Sequence, residues 1–133
     1  MVAIVTDSAA NLPSDMASEL GIEIVPMYLK FGERVYRDGI DLAPTDFYRR
    51  LVADAEIAST STPAPADFLE AYQRTGAGEI VCITVAGGMS AANHEATMAA
   101  ERYDGRVEVV DSLNASMAQG FVAAEAARRA RAG

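Results

Sequence analysis

Glycine and hydroxyl residues after an apolar run could bind an anion. Gly87 and Gly88 follow the run, and Ser90 comes two residues later. Glycine permits a sharp turn, and a helix beginning near Met89 would offer unpaired backbone N–H groups and the positive end of its dipole. The Ser90 hydroxyl, in the first turn of that helix, would suit a carboxylate or a phosphate.

A second set of hydroxyls lies in the run Ser59-Thr60-Ser61-Thr62, directly before Pro63. One interpretation is a polar loop with helix-capping ability. The other is a second hydroxyl donor that faces Ser90. Both interpretations stay open from the residues alone.

His94, the single histidine, gives the enzymatic alternative. It lies four residues after Ser90 and hence on the same helical face, so a Ser–His pair with the glycine turn as an oxyanion hole is one hypothesis. A third group should orient the histidine, but Glu95 is adjacent to it and faces elsewhere. Cys82 lies inside an apolar strand, which predicts a buried, inert thiol, and one His with one Cys argues against a metal site.

Small-anion or phosphate binding is a further alternative for the same residues. The chain has neither GxxxxGK[ST] nor GxGxxG with a downstream acidic residue, the usual nucleotide-binding patterns. Asp7 and Asp111 would also repel a polyphosphate, so this alternative is limited to small anions.

Short β-branched runs alternate with helical patterns along the chain. Strands are predicted at residues 2–6, 22–26, 80–85 and 107–110, and a small hairpin at 27–31 and 34–36. This alternation predicts an α/β fold with three layers, a mainly parallel sheet flanked by helices. Right-handed crossovers place the strand exits along one edge, where ligands of open α/β sheets bind.

Helix signals fill the intervals between these strands. Pro13 and Gly21 bound the first predicted helix, and a second starts near Pro44. A third carries Phe68 and Tyr72 toward the core. The last helix runs to about residue 131, with a predicted buried stripe of Met117, Phe121 and Ala124 and with Gly120 packed closely against the sheet.

Length and charge restrict the class of protein. The chain has 133 residues, half of them hydrophobic, which fits one domain, residues 1–133. A net charge of −8 argues against a nucleic-acid partner. The first residues lack the pattern of a signal peptide, and no apolar run has the length of a membrane span, so a cytoplasmic protein without an integral membrane segment is expected.

Four motifs in order resemble the amino-terminal domain of the bacterial DegV family. They are Thr6-Asp7-Ser8, Thr60-Ser61-Thr62-Pro63, Gly88-Met89-Ser90, and Val110-Asp111-Ser112 followed by Ala115-Ser116-Met117-Ala118-Gln119-Gly120. The resemblance implies a fatty-acid-binding protein without a cofactor. It also implies a protein that is not itself an enzyme but presents the acyl carboxylate to a separate fatty-acid kinase subunit.

The resemblance assigns the carboxylate to two hydroxyls. Thr60 and Ser90 would hydrogen-bond it, and Ser61, Gly87 and Gly88 would shape its surroundings.

The chain departs from the resembled pattern in two ways. Thr62 stands where the family usually has Gln, and Met89-Ser90-Ala91-Ala92 stands where it usually has Leu-Ser-Gly-Thr. The family's second domain, which covers the acyl tunnel, is expected to be absent from this chain. Apolar surface left uncovered predicts weak lipid binding by the monomer and association into a homodimer.

Overall fold

The chain alternates short strands and helices, and the computed structural model describes residues 1–53 and 57–133. The strands are β1 (Ala3–Asp7), β2 (Ile22–Val25), β3 (Tyr28–Phe31), β4 (Arg34–Arg37), β5 (Ala58–Ser61), β6 (Glu79–Thr84) and β7 (Arg106–Asp111). The helices are α1 (Ser14–Leu20), α2 (Pro44–Ala53), α3 (Pro65–Thr75), α4 (Ala92–Ala100) and α5 (Ser116–Ala132). A one-turn 3-10 helix at Ser8–Ala10 follows β1.

A four-stranded parallel sheet forms the centre of the fold. Its strand order is β2-β1-β6-β7. Successive side chains point to opposite faces, so Val5 and Cys82 belong to one apolar cluster while Ile4 and Ile83 belong to the other. Both faces are covered by helices, which confirms the predicted three-layer α/β architecture.

Alanine-rich helices cover the two faces of this sheet. Phe68 and Tyr72 of α3 pack with Ala96 of α4 on one face, where the Tyr72 hydroxyl donates to the Ala96 carbonyl (3.0 Å). Ala123 and Ala127 of α5 pack on the other face. Small side chains bring helix and sheet backbones close together and leave little space for solvent. Nowhere in the two described ranges is a helix both long and apolar enough to cross a membrane.

A second, three-stranded antiparallel sheet has the order β4-β3-β5. The predicted hairpin is confirmed as β3 and β4, but the run from Ser59 to Thr62 is not simply a polar loop. Ser59 to Ser61 belong to β5, an edge strand whose backbone pairs with β3. Serine and threonine tolerate the half-exposed edge of a sheet, and their local preference for turns is overridden by the backbone hydrogen bonds that β3 supplies.

Two further expectations about helices are wrong. The helix predicted from Met89 begins at Ala92, because the preceding residues form a turn. Of the predicted buried stripe, Ala124 is buried as expected and Met117 is half-buried, but Phe121 is 62% exposed, because the buried face of α5 runs through Gln119, Ala123, Ala124 and Ala127. Gly120 does permit close packing, but against the 3-10 helix rather than the sheet.

Candidate functional site

The turn after β6 places Ser90 at the carboxyl edge of the parallel sheet. The carbonyl of Ala86 accepts the N–H groups of Met89 (2.9 Å) and Ser90 (3.2 Å), which closes the turn. Ser90 therefore lies two residues before α4, outside the first helical turn. The position stays close to the helix N-terminus, with its donor groups and positive dipole end.

The hydroxyl of Ser90 contacts Thr62. The two side-chain oxygens are 3.1 Å apart, and either can be the donor. The backbone N–H of Ala92 also donates to the Ser90 oxygen (3.2 Å). Thr62 follows the edge strand β5 and precedes the buried Pro63, so one contact joins the two sheets.

Thr60 and Ser61 lie on opposite sides of β5. Thr60 is opposite Leu29 in the pairing with β3, so it shares the strand face of the apolar cluster that contains Leu29 and Phe31. Ser61 is opposite Tyr28, on the other face. Thr60 is exposed, and the hydrogen-bonded neighbour of Ser90 is Thr62 rather than Thr60. The side chain of Ser61 therefore lies on the face of β5 opposite to Thr60.

Asp111 forms hydrogen bonds on one side of the glycine turn. Its Oδ2 accepts the N–H of Gly87 (3.0 Å), and its Oδ1 accepts the N–H of Leu113 (2.9 Å). A Cβ at Gly87 would lie 2.8 Å from Asp111 Oδ2, so glycine is required for this close approach. Within the described ranges, the N–H of Gly88 makes no hydrogen bond, and the space at its Cα is open. The N–H of Gly87 is thus engaged by Asp111, whereas the N–H of Gly88 has no acceptor among the described residues.

Asp7 holds the other side of the turn from within the core. Its side chain is buried and accepts the N–H groups of Val85 (2.8 Å) and Ala9 (3.1 Å) and the amide of Gln119 (3.1 Å). Gln119 also donates to Thr6 Oγ1 (3.0 Å). Burial raises the pKa of the Asp7 carboxyl above its ordinary value, and these hydrogen bonds oppose that shift. Asp7 therefore fixes the end of β6 relative to β1 and α5.

Sequence reasoning offered a second hydroxyl facing Ser90 as one interpretation of the run from Ser59 to Thr62 but did not single out Thr62, and it assigned no role to Gln119. For Gln119 a signal was present, because it is a long polar side chain among alanines on the inner face of α5. For Thr62 the signal was its place at the end of the hydroxyl run, directly before Pro63. Neither signal identified a partner, because both contacts are distant in sequence. Thr62 and Ser90 are 28 residues apart, and Gln119 and Thr6 are 113 residues apart.

A cavity of about 590 Å³ opens beside this edge, at the exits of β1 and β2. Ser8, Asn11, Pro26, Ile40 and Tyr48 are among its lining residues. Thr60, Thr62 and Ser90 do not line it. The hydroxyl pair and the cavity are thus separate features of the same edge.

The geometry does not assemble a Ser–His pair. Ser90 bonds Thr62 and the Ala92 N–H, whereas His94 is exposed and makes no hydrogen bond to Ser90 in the ranges described. Burial raises the pKa of the Cys82 thiol to about 12, so it stays protonated and unreactive at neutral pH. Among the described residues, no three His, Cys, Asp or Glu side chains are grouped to hold a metal ion.

Comparison with known proteins places the chain in a family. A sequence model of the DegV family, described as uncharacterised proteins, matches residues 1–133. A DegV domain-containing protein from Deinococcus radiodurans is 35% identical over 99% of this chain and 48% of its own length. The chain thus spans about half the length of this curated relative.

Solved structures show the same likeness. The crystal structure of DegV, a fatty acid binding protein from Bacillus subtilis, has a TM-score of 0.93 and 30% identity over 99% of this chain and 48% of that one. A DegV family protein from Thermus thermophilus, described for its fatty acid binding, has a TM-score of 0.89 and 31% identity over 99% and 48% of the two chains. Sequence and fold agree along the whole chain, which therefore belongs to the DegV family.

Proposed function

We propose that this chain binds a long-chain fatty acid and that the hydroxyls of Thr60 and Ser90 hydrogen-bond its carboxylate. The observation that carries the proposal is the 3.1 Å contact between Thr62 and Ser90. It joins the two hydroxyl motifs, which come from separate sheets. The proteins from B. subtilis and T. thermophilus, described as binding fatty acids, support the ligand class.

The donors around Ser90 suit a group that only accepts hydrogen bonds. A carboxylate has two acceptor oxygens and no donor when ionised. Hydroxyl groups can donate to it, as can the N–H of Gly88, which makes no hydrogen bond to the residues that the structure describes, and the N-terminus of α4 favours its negative charge. Gly87 shapes the site through the conformation of its backbone, because its N–H already donates to Asp111. Ser61 supports the site through its backbone pairing in β5, the strand that holds Thr60 in place.

Two large apolar side chains beside the turn after β6 are exposed. Met89, next to Ser90, is 71% exposed, and Leu113, whose N–H donates to Asp111, is 79% exposed. Burial of each methylene contributes about 0.8 kcal/mol, so an acyl chain left open on one side loses much of its binding energy. We therefore propose that residues 1–133 form one domain, that the monomer binds lipid weakly, and that a second copy covers the apolar surface.

The role of the bound lipid follows from the family resemblance. We propose that the chain is a carrier and not an enzyme, and that a separate fatty-acid kinase subunit phosphorylates the presented carboxylate in the cytoplasm. The absence of a Ser90–His94 hydrogen bond among the described residues supports a carrier over a hydrolase.

The test is direct identification and measurement of the ligand. Lipid extracted from the purified protein should contain long-chain fatty acid by mass spectrometry. Thr60→Ala and Ser90→Ala should each weaken palmitate binding by about 1 to 2 kcal/mol, as for loss of a hydrogen bond to a charged group. Ser59→Ala is the matched control, because Ser59 lies on the opposite face of β5 from Thr60. Unchanged affinity in both the Thr60 and Ser90 variants would refute the assignment.

A further inference from the structure

We propose that Thr62 is a positioning residue that aims the O–H of Ser90 at the ligand and thereby makes the site prefer a carboxylate to a neutral head group. This inference rests on the proposed function of the same site. It assigns to Thr62 a role that is exerted through its hydrogen bond with Ser90.

The hydrogen-bonding capacity of the two hydroxyls leads to this role. Each hydroxyl has one donor hydrogen and two acceptor lone pairs. The Ala92 N–H occupies one lone pair of Ser90, and the 3.1 Å contact with Thr62 engages either the second lone pair or the hydrogen. If Thr62 donates, both lone pairs of Ser90 accept hydrogen bonds. The O–H of Ser90 can then donate to a ligand. If Ser90 donates, its own hydrogen is lost to the ligand.

An ionised carboxylate selects the first of these two arrangements. It accepts a hydrogen bond from Ser90 only when Thr62 donates to Ser90. The chain Thr62 to Ser90 to carboxylate is then cooperative, since each bond polarises the next. A neutral alcohol can donate as well as accept, so it satisfies Ser90 in either arrangement.

The backbone holds Thr62 firmly enough for this task. Thr62 follows the paired strand β5 and precedes Pro63, which is buried and restricts the preceding residue to extended conformations. Threonine is β-branched, which limits its side-chain rotamers. Ser90 is fixed by its own N–H bond to the Ala86 carbonyl (3.2 Å). Both partners of the pair are therefore pre-organised before a ligand arrives.

The experiment compares two ligands of equal chain length, palmitate and hexadecanol, on the full 133-residue chain. Thr62→Val keeps the side-chain shape and removes the hydroxyl. It should weaken palmitate binding about five-fold and change hexadecanol binding by less than about two-fold. Thr62→Ser should restore the palmitate affinity, because it returns the donor.

Two further variants separate positioning from a structural effect. Thr97→Val is the matched control, since Thr97 is exposed on α4 and its hydroxyl donates to the Asn93 carbonyl (2.8 Å), and both affinities should stay at the parent value. In a Ser90→Ala background, Thr62→Val should have no additional effect on palmitate, because the residue through which it acts is gone.

The outcomes separate this inference from the proposed function. An equal loss for palmitate and hexadecanol in Thr62→Val would mean a purely structural role and would overturn the inference. Unchanged palmitate affinity in Thr62→Val, with binding by the parent intact, would overturn it too and leave the proposed function standing. Failure of the parent chain to bind palmitate would overturn both.

Discussion

Gly120→Ala tests the packing that holds α5 against the 3-10 helix. An alanine Cβ at this position would lie 2.8 Å from the carbonyl oxygen of Ala10 and 3.3 Å from Leu12 Cδ2 and Met117 Sδ. The last two atoms belong to flexible side chains and can move. The Ala10 carbonyl cannot move easily, because it belongs to backbone at a residue that is 1% exposed. The helices must therefore separate by several tenths of an ångström.

Two opposing effects decide the sign of the change in stability. Replacing glycine by alanine inside a helix normally stabilises it by about 1 kcal/mol. Overpacking of a tight contact costs about 1 to 3 kcal/mol, and here the obstacle is backbone. The separation would also strain the bond from Gln119 to the buried Asp7 (3.1 Å), which adds to the cost. We expect a net loss of about 1 to 2 kcal/mol in the free energy of unfolding.

Urea unfolding measures this loss. With a slope typical of small proteins, the midpoint should fall by about 0.5 to 1 M while the slope stays constant. Gly78→Ala is the control, because nothing lies within 4 Å of the added Cβ, and its midpoint should stay close to the parent value. A Gly120→Ala variant as stable as the parent would show that the Ala10 carbonyl yields at no cost, and the reasoning would be wrong.

Three further predictions concern charge, catalysis and assembly. Because the pKa of Asp7 is raised in the folded state, its stabilising contribution is complete below the ordinary pKa of an aspartate and is lost as pH rises through the raised value. As pH rises through that window, the free energy of unfolding of Asp7→Asn should increase relative to that of the parent, because the parent loses this contribution and the variant does not. A difference that stays constant with pH would contradict this. His94→Ala should fold and bind palmitate normally, and esterase activity lost in both His94→Ala and Ser90→Ala would favour the hydrolase. Sedimentation across a dilution series should show self-association, and a monomer at every concentration, with or without palmitate, would argue against the dimer.

Much of the central sheet could be predicted because its signals are local. The apolar runs of β1 and β6 are short and β-branched, and Gly21, with a φ of 64°, ends α1 where the sequence predicts. The burial of Cys82 followed from its place in such a run, and the structure confirms it. Strand and helix periodicity is carried by neighbouring residues, so it can be read without knowing what the segment packs against.

The candidate site could be predicted only in part. The sequence indicated that Ser90 follows a glycine turn and that hydroxyls near residue 60 matter, but it did not indicate which hydroxyl contacts Ser90. The contact between Thr62 and Ser90 depends on the position of β5. The polar residues of β5 form a strand because their backbone pairs with that of β3. The roles of Thr60 and Ser90 in holding a ligand remain predictions.

The alternation of strands and helices, the parallel sheet with its polar edge and the family motifs can all be inferred from the amino-acid sequence. The contact between Thr62 and Ser90, the hydrogen bond from the Gly87 N–H to Asp111 and the exposure of Phe121 become visible only in the folded chain. Propensity and periodicity arise from interactions within a few residues, whereas a hydrogen bond between segments depends on where the sheet and the helices bring distant backbone together.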